Sequence, residues 1–133
     1  TLLEGAVGLV STVPDFLRFT SMLANRGELA GVRLLEESTV ATITRNGLSD
    51  DILRTRRGGT GWAVANVSVV VDEEAAGGGA RAGEYRWDGS AGTELWVDPA
   101  SGTVLVTMWQ SSPANPEQLR QRITALVREA VQP

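Results

Sequence analysis

Glu84-Tyr85-Arg86-Trp87-Asp88-Gly89-Ser90-Ala91-Gly92-Thr93-Glu94-Leu95-Trp96-Val97-Asp98-Pro99, running on to Gln110, holds three of the four tryptophans and the only tyrosine of the 133-residue chain. Its second half predicts a hairpin. Glu94–Asp98 and Thr103–Trp109 each alternate with period two, and Pro99-Ala100-Ser101-Gly102 between them supplies turn chemistry. Gly83–Trp87 can form a third strand, joined to the second by the small residues Gly89 to Gly92. Small residues there allow a close approach to the backbone, although a tight strand connection is enough to explain them.

Working outward, Thr1–Val10 is apolar and punctuated by Gly5 and Gly8, which predicts an extended or turning start. Thr12 then reads as an N-cap, with Pro14 in the first turn and Asp15 three residues after the cap. Phe16, Phe19, Leu23 and partly Leu17 recur at helical spacing and are expected to face a core, and Gly27 ends the helix. Glu28–Leu35 reads as a turn and a short extended piece. A second helix is expected over Glu36–Arg45, with Val40 and Ile43 inward and Asn46-Gly47 as its stop. Leu48–Gly61 reads as an Arg- and Gly-rich loop, Trp62–Val71 as one β-branched strand, and Asp72–Gly83 as a surface connection.

At the far end, Asn115-Pro116-Glu117-Gln118 is a helix start of cap, first-turn proline and closing glutamine. Leu119, Ile123, Leu126, Val127 and Ala130 form an apolar stripe, leaving Arg120, Gln121, Arg128 and Glu129 to face away. Two helices, four mostly antiparallel strands and a terminal helix make the class α+β, an antiparallel sheet covered by helices. On the last strand, Val104, Val106 and Met108 share one face, and Leu105, Trp109 and Trp96 the other. The terminal helix can cover only one of them.

Composition narrows the chemistry. The chain has no His and no Cys, and all 12 of its basic side chains are Arg. A Ser-His-Asp triad, a Cys nucleophile and a Ser-Lys pair cannot be built from these residues alone. No metal site is expected, since carboxylates would have to serve unaided, and no cofactor motif is present: Gly77-Gly78-Gly79 lacks the Lys-Ser/Thr of a phosphate loop. A net charge of −4 disfavours nucleic acid as a partner, and Arg54-Thr55-Arg56-Arg57 reads as a solvated loop. There is no apolar run long enough to span a bilayer.

Taken in order, several short pieces carry a resemblance. They are Gly8-Leu9-Val10-Ser11-Thr12, Asp15, Arg18-Phe19, Leu23, Asn25, Gly27-Glu28-Leu29, Gly31 and Arg33-Leu34-Leu35, then Gly61-Trp62, Trp87-x-Gly89-x-Ala91-Gly92-Thr93 and Trp96-Val97-Asp98-Pro99. The set resembles the C-terminal half of serine β-lactamase-like proteins: class C β-lactamases, β-lactamase-like esterases and D-alanyl-D-alanine carboxypeptidases. The esterase branch fits better than the lactamases.

The resemblance implies a site made of an S-x-x-K helix, a Y-x-N or S-D-N motif and a K-T-G-like strand. Trp87-Asp88-Gly89 stands at the place of that strand motif, and the first two motifs have no counterpart here. The resemblance therefore implies that residues 1–133 are the C-terminal part of a single hydrolase domain without its nucleophile-bearing part. That missing half, or a second copy, would cover the sheet.

Carried over residue by residue, Trp87, Asp88 and Gly89 become substrate-binding candidates. The backbone N–H of Ser90 becomes an oxyanion donor. Trp87 in place of a lysine, and a carboxylate at Asp88, point to a neutral ester or amide rather than an anionic substrate. The alternative is a non-catalytic binding module, a degenerate or truncated relative of the hydrolases.

Overall fold

The computed structural model describes residues 9–89, 92–110 and 117–131. Most of the opening segment, the residues at 90 and 91, and the Asn115-Pro116 helix start lie outside them. Thr12 caps the first helix (α1, Val13–Ala24) as its side-chain position predicts, its Oγ1 accepting from the Asp15 N–H at 3.3 Å. The helix closes in a Schellman motif. The Gly27 N–H donates to the Met22 carbonyl at 2.8 Å and the Arg26 N–H to the Leu23 carbonyl at 3.1 Å. Arg26 takes the left-handed position at φ 54°, followed by Gly27 at φ 94°. Glycine is required at the second, because a Cβ there would overlap the Leu35 carbonyl oxygen.

A two-stranded ribbon follows, β1 (Glu28–Leu29) with β2 (Val32–Arg33), turning at Ala30-Gly31. The next helix (α2, Glu37–Thr44) buries Val40 and half-buries Ile43, as its spacing implies. Asn46 stops it by accepting from the Leu48 N–H at 3.0 Å and the Trp62 N–H at 3.1 Å, so the stop residue also pins the helix end to the sheet.

The middle of the chain departs from the sequence reading. Leu48–Gly61 is not all loop. A short helix (α3, Asp50–Thr55) starts after Ser49, with Asp50 and Asp51 in its first turn, where negative charge suits the exposed N–H groups. The single strand expected over Trp62–Val71 is a hairpin, β3 (Thr60–Trp62) with β4 (Ser68–Val70). The chain reverses because Asn66, a residue that tolerates the left-handed region, sits at φ 61° and donates its N–H to the Ala63 carbonyl. The connection at Asp72–Gly83 contains one helical turn (α4, Glu73–Ala76), capped by Asp72 Oδ1 on the Ala75 N–H at 3.0 Å.

The main sheet adds β5 (Tyr85–Asp88), β6 (Glu94–Asp98) and β7 (Thr103–Thr107) in the antiparallel order β3-β4-β5-β6-β7. The hairpin read from Glu94 to Trp109 is present, with Leu95 opposite Val106, Trp96 opposite Leu105 and Val97 opposite Val104. Alternation sends Val69, Tyr85, Val97 and Val104 to one face. They pack there with Met22, Leu23, Ala24 and Val40, and this is the core. On this face α1 packs against β6 and β7. Phe19 and Leu17, which the spacing placed toward a core, stay exposed on the outer side of α1 together with Val13, and Phe16 is half-buried beside Phe19.

The opposite face carries Glu94, Trp96 and Asp98 on β6 with Glu84, Arg86 and Asp88 on or beside β5, and the terminal helix (α5, Glu117–Val131) lies over it. Here the expected stripe is met only in part: Ile123 and Val127 are half-buried and Gln121 and Glu129 exposed, as read, but the rest departs. Arg120 and Thr124 are buried, Arg128 is turned inward, and Leu119 and Leu126 face outward. The physical reason is the charge on the sheet. Arg120 meets Asp88, and Arg128 meets Glu84 while its guanidinium lies 5.1 Å from the centre of the Trp96 ring. Ion pairing, rather than apolar burial, selects the face of α5. The long arginine side chains hold the helix off the sheet, over a cavity of about 550 Å³ floored by Trp96, Val70 and Thr60.

Asp98 closes the β6–β7 turn. Its Oδ1 accepts from the Ala100 N–H at 2.9 Å and its Oδ2 from the Ser101 hydroxyl at 2.7 Å, with Arg81 Nη1 at 2.8 Å. Burial alone would raise this carboxyl, but those donors and the guanidinium together hold it below its ordinary 3.8. A depressed carboxyl contributes stability that is fully present above its unfolded value and lost as pH falls through the folded one. Asp98→Asn is therefore expected to flatten the acid limb of a plot of Tm against pH, checked by melting the pair of proteins from neutral pH down to about pH 2.

Candidate active-site strand

The residues singled out in sequence lie at the end of β5. Trp87 and Asp88 point to opposite faces by strand alternation, Trp87 opposite Leu95 and Asp88 opposite Glu94 in the register with β6. Trp87 is 42% exposed, unusual for so large an apolar side chain. Its ring stands edge-on to that of Trp62, with centroids 4.7 Å apart and planes at 86°. Trp62 in turn donates its indole N–H to Asn66 at 3.2 Å. The two rings make an aromatic surface where β3 and β5 end.

Gly89 begins the connection to β6. Its N–H donates to the Thr93 carbonyl at 2.8 Å, and its own carbonyl accepts from the Gly92 N–H at 3.0 Å. A Cβ at Gly89 would overlap Thr93 Oγ1, so a side chain there would require the Thr93 hydroxyl to turn away. Gly92 has the stricter need, at φ 107° with the Trp109 ring against it. Ser90 lies outside the described residues.

Asp88 turns to the α5 side. Arg120 Nη1 lies 2.6 Å from its Oδ2 and Nη2 lies 3.5 Å from the Gly89 carbonyl oxygen. The like-charge argument against an anionic substrate weakens accordingly, because the Asp88 carboxylate is already answered by a guanidinium. The argument from Trp87 in the place of a lysine is untouched. Beneath Asp88, Glu94 is buried, and desolvation raises its carboxyl above the ordinary value against the opposing pull of Arg86, 2.9 Å away, and Arg120.

Tyr85 has no catalytic placement. It is buried in the core, its hydroxyl has no partner among the described residues, and burial pushes it up to about 12. Among the described residues no group of three or more His, Cys, Asp or Glu is placed to hold a metal ion, and no helix is long and apolar enough to cross a membrane.

The structure thus brings Trp87, Asp88 and Gly89 together with Trp62, Thr93, Trp109 and Arg120, four residues to which sequence reasoning gave no site role. Gly61-Trp62 was visible as a short motif. Arg120 had no signal beyond its place in a helix. The arrangement supplies an aromatic surface and a fixed strand end. Among the described residues it supplies no nucleophile paired with a base.

Two proteins of Mycobacterium tuberculosis are similar to this chain, Protein Rv1367c of strain H37Rv and the Uncharacterized protein MT1414 of strain CDC 1551. Each is 32% identical over 114 residues, which is 80% of this chain. The chain spans 28% of the length of these relatives. A family model described as Beta-lactamase matches residues 2–129, nearly end to end, and with an α+β fold of the expected antiparallel kind the chain belongs to the β-lactamase family.

Proposed function

We propose that the chain is the C-terminal part of a serine hydrolase of the esterase-like kind, working through an acyl-enzyme on a neutral ester or amide. In this reading the nucleophile, its lysine and a tyrosine come from the part of the protein not included in these residues. This chain supplies the third wall of the site and, through the Ser90 backbone N–H, one oxyanion donor.

The exposed Trp87 at the end of β5 is the observation that carries the reading. A solvent-facing indole, braced by a second tryptophan at the family's strand-motif position, is poorly explained by folding alone. In an acyl-enzyme site it would line the acyl or leaving-group pocket. The family match and the small share of the relatives' length support the missing part. The exposed Val13, Leu17 and Phe19 on α1 suit coverage by that part.

The chain alone is expected to leave a chromogenic ester such as p-nitrophenyl butyrate unhydrolysed and to resist a serine-reactive phosphonate. The full-length protein should turn over the ester and label stoichiometrically. Turnover with labelling by the pure 133-residue chain would overturn the division of labour. An upstream sequence without S-x-x-K and Y-x-N, with an inactive full-length protein, would establish a binding module instead.

A further inference from the structure

We propose that the cavity beneath α5 is a binding site for a small uncharged molecule with an apolar body and a carbonyl group, of the aryl amide kind. The proposal stands apart from the hydrolase reading, since Trp87, Asp88 and Gly89 are not among the residues that line this space.

The space is built into the fold. Protein interiors are close-packed, with few voids larger than a water molecule. The volume here, about 550 Å³, lies in the range of small-molecule sites. Nor can α5 simply settle onto the sheet and close it. Arg128 donates from Nη1 to the Gly78 carbonyl at 3.0 Å, pairs through Nη2 with Glu84, and lays its guanidinium against the Trp96 ring. Collapse would have to break a pair whose carboxylate is buried.

The lining decides what fits. Trp96 and Val70 give an apolar floor, and Ala76, Ala80 and Ala125 add small apolar walls. The charges that reach the cavity are answered from within the protein. Arg128 meets Glu84, while Arg86 has Glu94 at 2.9 Å and Glu117 at 4.0 Å. A charged ligand would leave its hydration behind and find no free counter-charge among these groups, which is costly.

An uncharged ligand meets a different inventory. Thr124 lines the cavity from α5 and is 3% exposed, and its hydroxyl has no partner among the described residues. The buried Nε of Arg128 has none either. Buried polar atoms are hydrogen-bonded as a rule. A hydroxyl can donate or accept and an arginine N–H only donates, so a carbonyl oxygen suits both. Glu84 and Arg86 stand on the cavity side of the sheet, and Trp87, next along the strand, points to the opposite face. An occupant of the cavity would therefore leave the aromatic surface at the strand end free.

The test uses full-length protein and para-fluoroacetanilide, followed by fluorine NMR line broadening, with para-fluorobenzoate as the charged comparison. Wild type is expected to bind the amide saturably and the benzoate about tenfold more weakly. Val70→Trp, which fills the cavity from its floor, should abolish amide binding. Thr124→Val keeps the volume and deletes the hydroxyl, and should weaken binding about two- to tenfold. Trp87→Ala should leave it unchanged.

Unchanged affinity in Thr124→Val would overturn the proposal, and this arm holds even where Val70→Trp fails to fold. Absence of saturable binding to wild type would show a cavity filled by water or by another part of the polypeptide, and would overturn it too. So would binding that survives Val70→Trp and is lost in Trp87→Ala, or benzoate bound as tightly as the amide. Ester hydrolysis plays no part in the readout, so the hydrolase reading stands or falls separately.

Discussion

Full-length protein carrying Ser90→Pro is expected to lose about 10²–10³ of its ester-hydrolysis rate, the usual effect of deleting one oxyanion donor, while Ser90→Ala stays within about tenfold of wild type. The expectation follows from the kind of group proposed. In the proposed role the residue after Trp87-Asp88-Gly89 would act through its main chain, so losing a hydroxyl should matter little. Proline removes the N–H itself.

The flanking geometry suits the role. Gly89, the residue before Ser90, is tied to Thr93 by its N–H and to Gly92 by its carbonyl. Proline can also disturb the strand, and circular dichroism and melting must accompany the rates. If Ser90→Ala proves as inactive as Ser90→Pro in folded protein, the hydroxyl does chemistry and the assignment to the main chain fails.

The largest expected effect on stability is at Glu84. This carboxylate is 2% exposed and fully used. It accepts from the Arg81 N–H at 2.9 Å and from the Trp96 indole N–H at 3.0 Å, and it pairs with Arg128. Glu84→Ala strands an arginine and an indole N–H in the interior, and removing one partner of a buried pair costs about 3–5 kcal/mol. Glu84→Gln keeps one acceptor oxygen, for the Trp96 indole N–H or the Arg81 N–H but not both, because the two are held by different carboxylate oxygens. With the charge also lost, a cost of about 1–3 kcal/mol is expected, below that of Glu84→Ala.

Urea unfolding of the three proteins measures the differences. Equal stability of Glu84→Ala and wild type would show that the link between α5 and the sheet contributes nothing. A Glu84→Met, Arg128→Met double variant should be less damaged than Glu84→Ala, since it leaves no charge behind.

Much of this architecture was legible because its signals are local. Thr12, Pro14 and Asp15 lie within one turn of each other and fix the start of α1. Two alternating runs around Pro99–Gly102 fix the β6–β7 hairpin. Errors arose where one local signal outweighed another. Five valines made Trp62–Val71 look continuous, and Asn66 alone marked the reversal. The glycines and arginines of residues 48–61 masked the Ser49-Asp50-Asp51 helix start.

The face of α5 was misread for a different reason. Helical period offers two stripes, and apolar residues are the ordinary choice for the inner one. The deciding fact is the charge across the gap, at Glu84 and Asp88. Their four-residue spacing was visible in the sequence, but their pairing with Arg128 and Arg120 was not. That β5 ends near Trp87 was legible in the sequence. What holds it was not, because Arg120 and Asp88 are 32 positions apart.

The standing-off of α5 on arginine side chains also bears on how long the fold lasts. The Arg128–Glu84 and Arg120–Asp88 pairs close 44 and 32 positions of chain, after local hairpins and helical turns have had their chance to form. Contacts made late in folding are absent from the barrier, so they act chiefly on the rate of opening. The terminal helix is thus expected to serve as a latch on the folded lifetime. Glu84→Gln should raise the unfolding arm of a chevron plot and leave its refolding arm in place.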